Sequence, residues 1–208
     1  MQSICYIFGA GEHLCAPSSP TSRDLVIAAD AGYLHAKGFG ITPDICVGDF
    51  DSMDAPPDQR TIVLPPEKDD TDMLAAIRIG QAHGFRCFHI YGGAGNRLDH
   101  TLANLQCIAN LAQEGMRGYL FDRDTVITAI HNSAIRFSAT SRGILSAFAH
   151  SDIALGVDEV GLKYPLNNAT LRNTYPIGVS NEFTGVESLV RVRSGTLLII
   201  HPAHAQEI

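Results

Sequence analysis

The 208-residue chain contains no tryptophan, and its 15 lysines and arginines are outnumbered by 22 aspartates and glutamates, a formal net charge of −7. So sparse a basic complement excludes the Lys/Arg stripe of a nucleic-acid binder. An anionic substrate would have to be met by metal ions and a few placed cations. The five cysteines (Cys5, Cys15, Cys46, Cys87, Cys107) stop at the middle of the chain and mostly sit inside apolar runs. They form no CxxC or Cys/His ligand spacing, so they read as buried, reduced thiols. No apolar run approaches the ~20 residues needed to span a bilayer. The opening residues, MQSICYIFGAGEH, lack the basic and long apolar regions of a signal peptide. A cytoplasmic location is therefore expected, with no membrane partner. The absence of GxSxG and GxxxxGK[ST] disfavours covalent acyl chemistry and P-loop phosphoryl transfer.

What is present changes texture along the chain. Up to about Asp124, short apolar runs alternate with helical patterns, as in βαβ units with a parallel sheet. The candidate strands are Ile4–Phe8, Leu25–Ala29, Ile45–Val47, Thr61–Leu64, Cys87–Tyr91 and Gly118–Phe121. Met73, Ala76, Ile77 and Gly80 form one helical stripe; Leu98, Leu102, Leu105, Ala109 and Ala112 form another. Asp70 or Thr71 is placed to cap the first of these. A shorter helix is expected near Ala31–Lys37. Beyond Asp124, helical periodicity fades and short β-like runs recur between glycines, among them Ile135–Ser138, Ile144–Ala149, Gly178–Glu182, Val186–Arg193 and Thr196–Ile200. The expected architecture is an α/β domain over 1–124 with a mostly parallel, Rossmann-like sheet, followed by an all-β sandwich or barrel domain over 125–208.

Three acidic stretches carry the chemistry. Each follows a predicted strand. Asp49 and Asp51 are two apart in Gly48-Asp49-Phe50-Asp51-Ser52, so on extended backbone both carboxylates face one side. In Lys68-Asp69-Asp70-Thr71-Asp72, the lysine suits a phosphate, whereas Asp69 and Asp70 read equally well as acids that stabilise a helix N-terminus. In Gly92-Gly93-Ala94-Gly95-Asn96-Arg97-Leu98-Asp99-His100, small residues let backbone N–H groups approach phosphate oxygens at a helix start. Arg97, His100 and Asn104 share one helix face there. Hard oxygen donors of this kind suit Mg²⁺ holding a polyphosphate. Gly9-Ala10-Gly11 with Asp30 imitates the start of a dinucleotide fingerprint, but Leu14 stands where the third glycine would be. A tight turn with Asp30 beside a nucleotide, and a turn with a merely solvated Asp30, both remain open.

In this order and spacing these stretches resemble the thiamine pyrophosphokinase family. Ala29-Asp30-Ala31-Gly32, Pro43-Asp44, Gly161-Leu162-Lys163-Tyr164-Pro165-Leu166, Gly178-Val179-Ser180-Asn181-Glu182 and Gly195-Thr196-Leu197-Leu198-Ile199-Ile200 extend the resemblance over essentially the whole chain. The family often has Trp where Tyr164 stands; Tyr still offers an aromatic wall to a flat heterocycle. The resemblance implies a nucleotide-binding domain followed by a thiamine-binding β-sandwich. It implies a homodimer with thiamine at the subunit interface, and Mg²⁺-dependent transfer of diphosphate from ATP to the thiamine hydroxyl, releasing AMP. It assigns Asp49, Asp51, Asp72 and Asp99 to catalysis and to the metal. It assigns Asp30, Lys68, Thr71, Gly92, Gly93, Gly95, Arg97, His100 and Asn104 to ATP, and Leu162, Tyr164, Ser180 and Asn181 to thiamine. The alternative is a non-catalytic nucleotide- or thiamine-sensing protein on the same scaffold; retention of the full acidic set argues against it.

Overall fold

Apolar runs that end in glycines or acids become strands whose loops gather at one sheet edge. A computed structural model describes residues 2–12, 15–50, 60–65, 70–95 and 97–208. Asp51 and Lys68 of the predicted site lie outside the described residues. The chain divides into two units, Met1–Cys107 with Tyr119–Arg123, and Ile108–Gly118 with Asp124–Ile208.

In the first unit, β1 (Cys5–Phe8), β2 (Leu25–Ala29), β3 (Ile45–Gly48), β4 (Arg60–Val63) and β5 (Cys87–Tyr91) pair in parallel, in the order β5-β1-β2-β3-β4. All residues of β1 and β3 are buried, and only the first of β2 and the central His89 of β5 are half-buried. This is why these strands read as continuous apolar runs rather than as alternating patterns. β4, at the sheet edge, is partly exposed along its length. α1 (Gly32–Gly38) follows β2, α2 (Asp72–Ala82) follows β4, and β6 (Arg117–Asp122) is the next strand after β5. Thr71 caps α2, its hydroxyl accepting from the Leu74 N–H at 3.2 Å. The buried residues of α2 are Met73, Ala76, Ile77 and Gly80, the stripe the sequence predicts.

The stripe predicted for α3 (Leu98–Gln113) needs correction. Ala109 and Ala112 are buried, but Leu98 and Leu102 are 68% and 55% exposed. The side chains turned inward are Asn104, Ile108 and Leu111. The first turns of this helix direct Arg97, His100, Thr101 and Asn104 toward a cavity, which leaves the two leucines on a neighbouring, solvent-facing side.

In the second unit, β7 (Thr125–His131), β9 (Ile144–Ala149), β12 (Asn181–Glu182) and β14 (Thr196–Pro202) run in the order β12-β9-β14-β7. A separate four-stranded sheet holds β8 (Ala134–Phe137), β10 (Ile153–Val160), β11 (Leu166–Arg172) and β13 (Ser188–Arg191), in the order β11-β10-β13-β8. All of these pairings are antiparallel. One apolar core draws on both sets: Ile130, Leu145, Leu197 and Ile199 from the first, Phe137, Val157, Leu171 and Val190 from the second. Each such buried side chain stabilises the fold by roughly 1.5–3 kcal/mol. β10 carries Gly156 and two register shifts, and β11 is a mostly exposed edge strand, so neither shows a clean apolar period in sequence.

Candidate active site

The order of the parallel strands places β1 between β2 and β5. Ligand crevices in open α/β sheets form at such a reversal, beyond the carboxyl ends of the strands. A cavity of about 290 Å³ opens there. Its walls come from the loop after β1 (Gly9–Glu12), the end of β2 (Ala29, Asp30), the start of α2 (Thr71–Met73), the loop after β5 (Gly92–Gly95) and one face of α3 (Arg97, His100, Thr101, Ala103, Asn104).

The two glycine loops are joined backbone to backbone. Gly9 N–H donates to the Tyr91 carbonyl and Gly11 N–H to the Gly92 carbonyl, both at 2.8 Å. A Cβ on Gly11 would lie 2.3 Å from the Ala94 oxygen, and one on Gly92, whose φ is +63°, would lie 2.4 Å from the Gly9 oxygen. Only glycine permits this approach. His35 Nδ1 donates to the Gly9 carbonyl at 2.8 Å, and the buried Asn104 amide donates to the Gly93 carbonyl at 2.7 Å. The Gly9-Ala10-Gly11 loop is a tight turn that forms one wall of the cavity.

The carboxylates form an interacting group. Asp30 has a φ of +47° and donates its backbone N–H to the Val47 carbonyl at 2.9 Å. Its Oδ1 is buried without a hydrogen-bond partner. Gly48 makes room for it, since a Cβ there would lie 1.9 Å from that oxygen. Burial raises the Asp30 carboxyl to about 7; a hydrogen bond to Asp72, the Asp72 charge and the Asp49 charge act in the same direction, and the Phe50 N–H opposes them. Asp30, Asp49 and Asp72 therefore sense one another although they come from three different segments. Among the described residues, no three His, Cys, Asp or Glu side chains already stand together at metal-ligand spacing.

At the start of α3, Arg97 grips Asp99 with two hydrogen bonds, Nε to Oδ1 at 3.0 Å and Nη2 to Oδ2 at 2.8 Å, and its Nη2 also lies 2.8 Å from His100 Nε2. The paired guanidinium holds the exposed Asp99 carboxyl down to about 2. Arg97 thus stands on the cavity wall as a cation already oriented by an acid. Asp70 pairs with Arg78, nearly two turns into α2.

The predicted thiamine segments meet within the second unit. Leu162 bridges Phe183, and Lys163 N–H donates to the Glu182 carbonyl at 3.0 Å. Asn181 clamps Tyr164 from both sides: the Tyr164 N–H donates to Asn181 Oδ1 at 2.9 Å, and Asn181 Nδ2 donates to the Tyr164 carbonyl at 2.8 Å. The Tyr164 ring itself is 60% exposed. Ser180 sits at φ +60° and donates its N–H to Ser146 Oγ at 3.0 Å. Leu162 and Asn181 are buried, at 5% and 4% exposure, so they shape this region from beneath.

The cavity thus unites Asp30, Thr71, Asp72, Gly92, Gly93, Gly95, Arg97, His100 and Asn104. Asp49 and Asp99 do not line it: Asp49 acts on Asp30 through its charge, and Asp99 is paired with Arg97. Sequence reasoning did not single out Met73, Thr101, Ala103 or Glu12 as lining residues. Thr101 follows from its spacing four residues after Arg97; nothing in the sequence pointed to the others.

Two family models match the chain. That of the thiamin pyrophosphokinase catalytic domain covers residues 18–120, and that of the thiamin pyrophosphokinase vitamin B1 binding domain covers residues 151–199. The chain belongs to the thiamin pyrophosphokinase family. Among its relatives in that family, thiamin pyrophosphokinase 1 of Caenorhabditis elegans is 27% identical over 180 residues, 80% of this chain and 72% of the relative. Thiamine pyrophosphokinase of Bacillus subtilis (strain 168) is 26% identical over 184 residues, 85% of this chain and 86% of the relative. The fold is shared with the crystal structure of a B. subtilis thiamine pyrophosphokinase, at a TM-score of 0.86 and 23% identity over 98% of this chain and 100% of that one. It is shared likewise with that of a Geobacillus thermodenitrificans thiamin pyrophosphokinase, at a TM-score of 0.82 and 25% identity over 96% and 97%. The family match to the catalytic domain begins beyond the Gly9–Glu12 loop, which enters the site on geometry alone.

Proposed function

We propose that this chain is a thiamine diphosphokinase, transferring diphosphate from ATP to the hydroxyl of thiamine and releasing AMP. The observation that carries this reading is the cavity at the strand reversal, where a glycine backbone cradle, interacting carboxylates and an oriented arginine face the same space. A sensing role on the same scaffold is not favoured, because the family model matched over residues 18–120 is that of the catalytic domain.

In this reading the thiamine hydroxyl oxygen bonds to the β-phosphorus of ATP while the bond from that phosphorus to the AMP oxygen breaks. The hydroxyl proton passes to a carboxylate facing the cavity. Such a transfer is mostly positioning and charge neutralisation. The Gly92–Gly95 loop, with Thr71, His100 and Asn104, seats the nucleotide, and Lys68 and Arg97 bind its phosphates. The donor set suits Mg²⁺: hard oxygens, one of them buried and unpartnered on Asp30, and mutual repulsion that a divalent cation would relieve. Asp49, Asp51 and Asp72 would hold the ion with Asp30 beside them, and Asp99 would join them once a phosphate takes over its hold on Arg97. When bound, the ion supplies charge neutralisation of the polyphosphate.

Tyr164 and Ser180 face thiamine, with Leu162 and Asn181 supporting them. A domain over 1–124 is read as Rossmann-like from the parallel order of its strands, and one over 125–208 as a β-sandwich from the single core drawn from both sets of strands. A homodimer with thiamine at the subunit interface is part of the reading; the exposed Leu98 and Leu102, and in the second unit Tyr164 and Val179, offer apolar surface to a second copy. Incubation with ATP, Mg²⁺ and thiamine should yield AMP and thiamine diphosphate together. ADP as the nucleotide product would refute the reading.

A further inference from the structure

The second unit contains a buried acid that no proposed chemical role uses. Glu159, near the end of β10, is 1% exposed. Its Oε2 accepts from Asn181 Nδ2, and its Oε1 is buried without a hydrogen-bond partner. The Asn181 amide is thereby saturated: Nδ2 donates to Glu159 and to the Tyr164 carbonyl, and Oδ1 accepts from the N–H groups of Tyr164 and Glu182. Burial raises the Glu159 carboxyl, and the Asn181 hydrogen bond only partly offsets this. A half-satisfied buried carboxyl is a poor stabilising device, since an apolar side chain of similar volume commonly serves the fold as well or better. Its partner, Asn181, clamps the main chain of Tyr164 from both sides, and Tyr164 itself is left exposed.

We propose that Glu159 is a positioning residue: by fixing the Asn181 amide it sets the main chain of Tyr164, and hence the aromatic wall presented to the flat heterocycle of the substrate. The inference rests on the reading that Tyr164 faces thiamine. Three variants separate the hydrogen bond from the charge. E159Q keeps an acceptor at the same reach, E159D keeps the charge but withdraws the acceptor by one C–C bond, and E159L removes it. The KM for thiamine should stay within about twofold in E159Q, rise severalfold in E159D and rise about tenfold in E159L, the ratio expected for one hydrogen bond. The KM for ATP should not move in any of them. Should E159L fail to fold, the contrast between E159Q and E159D decides alone. A fall in melting temperature with an unchanged KM for thiamine, or equal shifts in both KM values, would overturn the inference. Wild-type protein that makes no thiamine diphosphate would overturn the functional reading together with it; an active wild type with flat variants would overturn the inference only.

Discussion

Replacing Asn104 tests how the glycine cradle is held. Its Nδ2 donates to the Gly93 carbonyl at 2.7 Å from a position only 6% exposed, and the Gly93 segment leaves little room for slack: a Cβ on Gly93 would lie 2.3 Å from Leu120 Cδ1. Asn104→Ala leaves that carbonyl without its buried donor, a loss of roughly 1–3 kcal/mol. If the loop absorbs all of it, the population of the ATP-ready arrangement falls by about 5- to 150-fold, at 1.4 kcal/mol per decade. Asn104→Asp should be worse, because an ionised carboxylate offers no donor and repels the carbonyl. The assay is the KM for ATP and for thiamine in each variant, with thermal denaturation as a check on folding. The KM for ATP should rise in both variants and the KM for thiamine should not change. Wild-type affinity for ATP in Asn104→Asp would refute this.

Asp72→Asn should abolish turnover in a folded protein, since it removes the carboxylate that bonds Asp30; near wild-type rates at saturating Mg²⁺ would contradict this. Tyr164→Ala should raise the KM for thiamine and spare that for ATP, and the reverse pattern in steady-state kinetics would move the thiamine pocket elsewhere. A fourth prediction concerns pH. Burial among Tyr6, Tyr119 and Phe121 lowers His89 from its ordinary 6.5 to about 4, so the neutral ring is the form the fold accepts. The unfolded chain takes up that proton first, so stability is full above pH 6.5 and is lost as pH falls toward 4, by at most ~3 kcal/mol. Denaturant melts at pH 7, 5.5 and 4.5 should show this slope in the wild type and a flatter one in His89→Phe; parallel slopes would remove His89 from the account.

The parts of the fold legible in the sequence were those with one dominant period. Strands β1, β2, β3 and β5 are buried on both sides and wrote themselves as apolar runs; the α2 stripe was read residue for residue because that helix packs along one face. α3 misled because its N-terminal half serves a cavity, so Asn104 is buried while Leu102 is not. β10 and β11 were hidden by a bulge at Gly156 and by an exposed polar edge. In the site, the glycines and acids stood out by their spacing. What could not be read was their coupling: Asp30 reaching Asp72 from a distant segment, Arg97 turned onto Asp99, and Asn181 used up inside the fold as a clamp on Tyr164. Such contacts are set by strand order and loop closure, which local pattern does not encode.

In the proposed reaction the thiamine hydroxyl attacks the β-phosphorus. That attack is tested most directly with ATP labelled at the β-phosphorus, incubated with Mg²⁺, thiamine and the full chain, with the products separated. The label should appear wholly in thiamine diphosphate, with unlabelled AMP formed in equal amount. Label retained in ADP would contradict the claim.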